Sequence, residues 1–480
     1  MNRQIVWAGA AVLVAVIAAS CASTSDSSTP RNVIFFLGDG MGITTMTAAR
    51  IYKVGEDGSL TMDTLPESGF VKTYSNDAQV TDSAPSMSAY MTGVKMNNDV
   101  ISMSSDTRAF SITNGVVTPY ATSSGQSTCP ASGNGTPVST LLELAKANGL
   151  GTGVVSTARL THATPAATYA HICHRDGEYE IARQAVPGGA GFNPALGDGV
   201  DVMLGGISYY WKPFPSAVAP TRGRTDGRDL VAEMKTKGYI FVANKNEFDA
   251  APTVAGSKLL GLFDQAVGQG HMSYELDRDP AQEPSIAEMT AKAIELLSKN
   301  KRGYFLMVEG GRIDHALHST NAKRALADTV AFDDAIRTAI GKVDLANTLI
   351  VVTADHDHTM VMNGYAQRTG PTTAASPGVL GLVKDVISGN FVPDIAGFGY
   401  GILGFGNGEN RPATRTALTD LQTGALDYHQ EAVIQMPAGG ETHGGADVFI
   451  GAIGMGAENI SGVIENTAVY SLIRQAVGLK

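Results

Sequence analysis

Uninterrupted apolar runs of strand length recur along the chain, at residues 32–37, 151–156, 303–308 and 348–353. Runs without polar alternation are the pattern of parallel strands covered on both faces. A shorter run at 201–204 leads into Gly205-Gly206, and a last one spans 447–453. Between them, apolar residues fall at helical spacing over 43–54, 83–91, 140–148, 230–237 and 285–298. Buried strands alternating with amphipathic helices predict an α/β fold with a mostly parallel sheet. Other stretches break the pattern. Residues 99–137, rich in Ser, Thr, Gly and Asn, predict a loop, and the Gly- and Pro-rich stretch 364–440 predicts surface insertions. Tyr209-Tyr210-Trp211 is expected to pack.

The chemistry lies where the runs stop. The first run ends in Gly38-Asp39-Gly40-Met41-Gly42, and the run at 303–308 leads into Glu309 and then Asp314-His315-Ala316-Leu317-His318. The run at 348–353 leads into Asp355-His356-Asp357-His358, and Glu441-Thr442-His443 precedes the last strand. Asp314 and His318 are four apart, one face of a helix. Asp39 alone would read as a helix cap. Collected at the carboxyl edge of one open sheet, these residues form a candidate metal site. Imidazole with carboxylate suits zinc and all-oxygen ligation suits magnesium, so the mixture suggests two softer sites and one harder one.

Two further segments carry polar candidates. Asp82-Ser83-Ala84-Pro85 opens a helix in which Ser83 reads as the N-cap, its hydroxyl near free N–H groups that also favour an anion. Residues 157–175 hold His162, Thr164, His171, His174 and Arg175; spacing alone assigns none of these a role.

Composition narrows the class. With 480 residues, 43% of them hydrophobic, the chain can bury a large core, either as one big α/β domain with insertions or as two or three smaller ones. The formal net charge of -11 argues against a nucleic-acid groove or an anionic membrane surface as main partner. Residues 1–20, with Arg3 followed by an apolar run to Ala19, read as an export signal, and 21–30 as a flexible tether. Ala18-Ala19-Ser20-Cys21 resembles a bacterial lipobox with Ala18 in place of the usual Leu. Lipid attachment at Cys21 and conventional cleavage both stay open. After export to the periplasm or cell envelope, Cys129 and Cys173 are available to pair, at a distance the sequence does not supply.

Taken in order, Asp39 in Gly-Asp-Gly-Met-Gly, Asp82-Ser83-Ala84, Glu309 through His318, Asp355-His356 and Glu441-Thr442-His443-Gly444 resemble the motifs of the alkaline phosphatases, from about Asn32 to the last strand. The resemblance implies a three-layer α/β/α sandwich with a large, mostly parallel central sheet and surface insertions. It implies phosphomonoester hydrolysis of broad specificity, releasing phosphate through a phosphoserine at Ser83, with two zinc ions and one magnesium ion per chain. Asp314, His318 and His443 would hold the first zinc and Asp39, Asp355 and His356 the second. Asp39 would bridge to magnesium, completed by Glu309 and Thr164. Arg175 would grip the phosphate, and Asp82 would orient Arg175. His162 and His315 resemble the animal-type pair, His162 reaching magnesium through water and His315 acting on phosphate or its waters. His358 would steady a ligand carboxylate. Phe263, Asp264 and Glu283 match part of an animal-type calcium site, but residues 214–224 offer no acidic counterpart, so calcium stays open. Relatives are often homodimers, which makes 364–440 a candidate interface. Rival readings are a phosphodiesterase of the same superfamily and a non-catalytic envelope protein binding phosphate or metal. A sulfatase fits poorly, because Met87 stands where its motif requires arginine.

Overall fold

The computed structural model describes residues 31–214, 223–263 and 270–479. The proposed signal, the tether, Cys21 and Asp264 lie outside these, as does much of 214–224. A ten-stranded sheet runs through the molecule in the order Gly462–Glu465, Glu67–Lys72, Val448–Gly454, Thr348–Ala354, Asn32–Gly38, Tyr304–Gly310, Gly151–Arg159, Val202–Gly206, Lys258–Phe263, Tyr239–Val242. Val448–Gly454 runs antiparallel to both of its neighbours and the other pairings are parallel. The expected α/β sheet is present.

The central strands are apolar on both faces because both faces are covered. Helices Ile43–Val54, Ile286–Leu297 and Ala322–Lys342 pack together, as do Ser83–Thr92 with Asn466–Val477 and with Leu141–Ala147. Phe36 meets Phe332 of one helix group edge-on at 5.8 Å, while Phe35, pointing the opposite way, meets Tyr90 of the other group at 5.5 Å. Successive residues of one strand thus anchor the two helix layers. Tyr209, Tyr210 and Trp211 are buried, as expected.

One expectation about loops needs correcting. Residues 99–137 contain a hairpin, Phe110–Thr113 with Val116–Pro119, turned by Asn114-Gly115 with both residues at positive φ. The stretch 364–440 contributes Leu403–Gly408 and Ala432–Gln435 to a three-stranded sheet completed by Met360–Met362. Cys129 and Cys173 are joined by a disulfide, their Cα atoms 5.9 Å apart. Among the described residues no helix is long and apolar enough to cross a membrane.

Candidate metal and phosphate site

Strand register gathers the acids. Gly38 lies beside Ala354 on one side and Gly310 on the other, so Asp39, Asp355 and Glu309 leave neighbouring strand ends together. At Gly40 (φ +66°) the chain turns so that its N–H donates to Asp355 Oδ1 at 3.0 Å. A Cβ there would stand 2.5 Å from the His358 ring, which leaves room only for glycine.

The helix carrying Ser83 is tied to the same edge. Ser86 Oγ donates to the Asp355 carbonyl at 2.7 Å and Tyr90 Oη to the Ala354 carbonyl at 2.8 Å. Ser83 is not the cap, contrary to its sequence reading. Asp82 takes that place, accepting from the Ala84 N–H at 2.7 Å, because a carboxylate is at least as good an acceptor for these N–H groups as a hydroxyl. Ser83 becomes the first helical residue. Its Oγ, freed from capping, lies 3.2 Å from His356 Nε2 and 3.5 Å from Asp39 Oδ1.

Three histidines share one arrangement. His318 Nδ1 is 2.5 Å from the Glu441 carbonyl, His443 Nδ1 is 2.8 Å from the Thr81 carbonyl, and His356 Nδ1 is 3.2 Å from the Asp357 carbonyl. A carbonyl only accepts, so each Nδ1 carries the proton and each Nε2 offers a lone pair. Those lone pairs crowd together: His443 Nε2 is 3.2 Å from His318 Nε2, and Asp314 Oδ1 is 3.2 Å from His318 Nε2 and 3.6 Å from His443 Nε2. His356 Nε2 is likewise 3.3 Å from Asp39 Oδ1 and 3.4 Å from Asp355 Oδ2. Acceptors facing acceptors are reconciled by a shared proton or by a metal cation between them.

The buried carboxylates carry the same message. Burial and the Asp314 charge push Asp39 up to about 7. Burial and Asp39 push Asp355 up to about 8, and the same two causes raise Glu309 well above its usual range. Asp314 goes the other way: burial would raise it, but His318 and His358 beside it hold it well below the usual carboxylate range. Glu309 Oε1, Asp355 Oδ2 and His162 Nδ1 are buried without a hydrogen-bond partner. Ligand atoms of Asp39, Asp355 and His356, of Asp39, His162 and Glu309, and of Asp314, His356, His358 and His443 fall within 4.8 Å of one another. The carboxylates of these sets, with His356 and His443, fit metal ions, whereas His162 Nε2 is already taken by Arg175. His358 differs from its neighbours, because Nε2 meets Asp314 Oδ1 at 2.8 Å and Nδ1 meets Glu441 Oε2 at 2.5 Å. Burial opposes its charge, yet the two acids raise its pKa to about 10, so it bridges carboxylates.

Arg175 borders this cluster. Its Nη1 donates to Asp82 Oδ1 at 2.9 Å and its Nη2 to His162 Nε2 at 3.0 Å. Thr164 Oγ1 lies 3.5 Å from Asp39 Oδ2. His315 is half-buried, its ring 5.3 Å from that of His162. His171 lies elsewhere, held between Glu143 and the Ser102 carbonyl, and His174 Nδ1 accepts from the Asp176 N–H at 3.2 Å. Both Glu283 oxygens are engaged by Ser273, at 2.9 Å and 2.8 Å.

Sequence reasoning missed Ser156, whose Oγ donates to Glu309 Oε2, and gave no separate role to Glu441, whose Oε1 accepts from the Thr359 N–H at 2.8 Å. Ser156 is the register neighbour of Glu309, so aligning the two apolar runs would have found it. His271 and Arg159, behind His315, carried no signal.

A mostly parallel sheet with a buried acid and imidazole cluster at its carboxyl edge, a serine hydroxyl beside it and an arginine at its rim defines a metal-dependent hydrolase of the α/β class. A family model described as alkaline phosphatase matches residues 30–479, and the chain belongs to that family. It is 37% identical to a tissue-nonspecific alkaline phosphatase of Gallus gallus over 92% of this chain and 83% of the relative. It is 34% identical to an alkaline phosphatase of Gadus morhua over 93% and 91%. The fold is shared with a Thermus thermophilus alkaline phosphatase, with a TM-score of 0.65 at 24% identity over 94% of this chain and 92% of that one. The chain is therefore a metal-dependent phosphomonoester hydrolase.

Proposed function

We propose that this enzyme hydrolyses a broad range of phosphomonoesters through a phosphoserine at Ser83, with two zinc ions and one magnesium ion per chain. The observation that carries the reading is the convergence of lone pairs on two centres beside the Ser83 hydroxyl, which caps no helix and faces His356 and Asp39. Asp314, His318 and His443 would hold one zinc, Asp39, Asp355 and His356 the other, and Asp39, Glu309 and Thr164 the magnesium. A variant of the alkaline phosphatase from the Antarctic bacterium TAB5 is described with Mg bound in its M3 site. His162 would reach the magnesium only through water: Nε2 accepts from Arg175, which leaves the proton on Nδ1, a donor.

When bound, the metals supply Lewis-acid charge that lowers the pKa of a hydroxyl or water and offsets the charge of a leaving oxygen. Arg175 presents a planar guanidinium to two phosphate oxygens, and Asp82 fixes its angle. Ser83 Oγ, as alkoxide, attacks phosphorus in line as the bond to the leaving alcohol breaks. Water then attacks the phosphoserine, the P–Oγ bond breaks, inorganic phosphate leaves, and Ser83 Oγ takes up a proton given up by that water. Every group here grips the phosphoryl end, which supports breadth toward the alcohol.

Turnover of a nitrophenyl phosphate monoester should exceed that of the matching diester; faster diester turnover would favour the phosphodiesterase reading. Asp82→Ala removes both the helix cap, worth about 1 kcal/mol, and the partner of Arg175. We expect a several-fold rise in KM with a smaller change in kcat. An unchanged KM would show that Asp82 does not set the arginine.

Residues 1–20 would direct export to the cell envelope, with Cys21 as a candidate lipid anchor and one domain over 31–480. The sheet completed by the insertion exposes Val361, Met362, Val433 and Ile434, which supports 364–440 as the contact of a homodimer.

A further inference from the structure

One buried imidazole beside the site has no part in the chemistry above. The His271 ring centroid lies 3.9 Å from that of His315, with the planes 51° apart, and 5.7 Å from that of His162. We propose that His271 is a positioning residue, locked in place by Arg159 and Glu178, that holds His315 in the orientation from which it meets the phosphate. This rests on the reading of His315 as a group that touches phosphate or its waters.

The lock is visible in the contacts. Arg159 presents donors to both nitrogens of His271, Nη1 at 2.6 Å from Nε2 and the backbone N–H at 3.3 Å from Nδ1. A neutral imidazole accepts at one nitrogen only, so the shorter contact, from Nη1 to Nε2, is the hydrogen bond and the ring proton sits on Nδ1. Arg159 itself cannot swing, because Nε and Nη2 each donate to Glu178 at 2.8 Å. Glu178 also accepts the Thr161 hydroxyl at 2.5 Å, and Glu178, Thr161 and His271 are all buried. The platform is a rigid chain of Glu178, Arg159 and His271.

His315 needs such a platform. Its Nδ1 is 3.3 Å from Arg312 Nη1, and a guanidinium only donates, so the proton of the neutral ring sits on Nε2, ready to donate to a phosphate oxygen. Arg312 in turn lies 3.6 Å over the Tyr274 ring. One long contact to Arg312 does not fix a torsion whose energy profile is broad. The His162 ring stands farther off, at 5.3 Å, so the nearest constraint on the ring plane is His271, at 3.9 Å.

The test is a double-mutant cycle on the metal-loaded enzyme. His271→Ala should lower kcat/KM for a nitrophenyl phosphate about tenfold, the scale of a misplaced catalytic group, with zinc and magnesium content unchanged. In a His315→Ala background the same substitution should change kcat/KM less than about twofold. His271→Gln, whose amide can still accept from Arg159, should recover most of the loss. An equal loss in both backgrounds, no loss in either, or a loss that follows missing metal overturns the proposal while leaving His315 as read. If His315→Ala alone changes neither kcat/KM nor inhibition by inorganic phosphate, the reading of His315 fails and this inference fails with it.

Discussion

Ser83→Ala is expected to lower phosphomonoester turnover by at least about 10³-fold while leaving the fold and the metal content intact. The substitution removes only Oγ, whose neighbours are His356 Nε2 at 3.2 Å and Asp39 Oδ1 at 3.5 Å. Neither neighbour depends on Ser83 for its position. His356 is held through Nδ1 at the Asp357 carbonyl, and Asp39 follows a strand paired on both sides. The helix keeps its cap because Asp82, not Ser83, accepts from the Ala84 N–H. Two readouts therefore separate chemistry from structure. Labelled phosphate should remain on acid-quenched parent enzyme and be absent from the variant, while both proteins melt within a few degrees of each other. Residual turnover above about a tenth of the parent's would mean that water, or another group, attacks phosphorus directly.

Much of the site is legible in the amino-acid sequence, for a physical reason. A strand buried on both faces admits few polar residues, so it is conspicuous in sequence, and an acid just beyond it must lie at the sheet's carboxyl edge. Asp39, Glu309 and Asp355 stand out in this way. Ser83 reads as the cap of its helix because Asp and Ser cap almost equally well. What decides between them is Arg175, 93 residues away, which draws the Asp82 carboxylate. The hairpin at 110–119 escapes a reading of periodicity because neither strand buries a face, so no alternation marks it, although Asn114-Gly115 is a strong turn signal. His271 escapes for a similar reason. Its partner Arg159 is 112 residues away, and a lone histidine in an aperiodic stretch says nothing about what it faces.

The same cluster of acids should make the stability of the metal-free enzyme fall as pH rises. Asp39 and Asp355 sit at about 7 and about 8 in the folded chain, against about 4 when unfolded. Between those limits the folded state holds protons that the unfolded state has released. Stability is then lost with rising pH, by up to about 1.4 kcal/mol per pH unit for each such carboxyl. Raised His358, at about 10, acts with the opposite sign to a lowered histidine: its stabilising charge is fully present below the unfolded value of about 6.5 and is lost as pH rises toward the folded one, so it adds to the same fall. His162, His315 and His443, all held well below their usual range, favour the folded state as pH rises, but only below about 6.5. The window from about pH 6.5 to 8 is therefore free of that opposing contribution, and the fall in stability should be steepest there. A bound metal ion takes the place of the shared protons, so zinc and magnesium should flatten the profile and widen the gap in Tm between loaded and chelated protein as pH rises. Metal added to chelated enzyme in weak buffer near pH 7 should also release protons. A chelated enzyme that melts at one temperature across this window, with no proton release on reloading, would mean that these carboxylates are already charged and balanced by other groups.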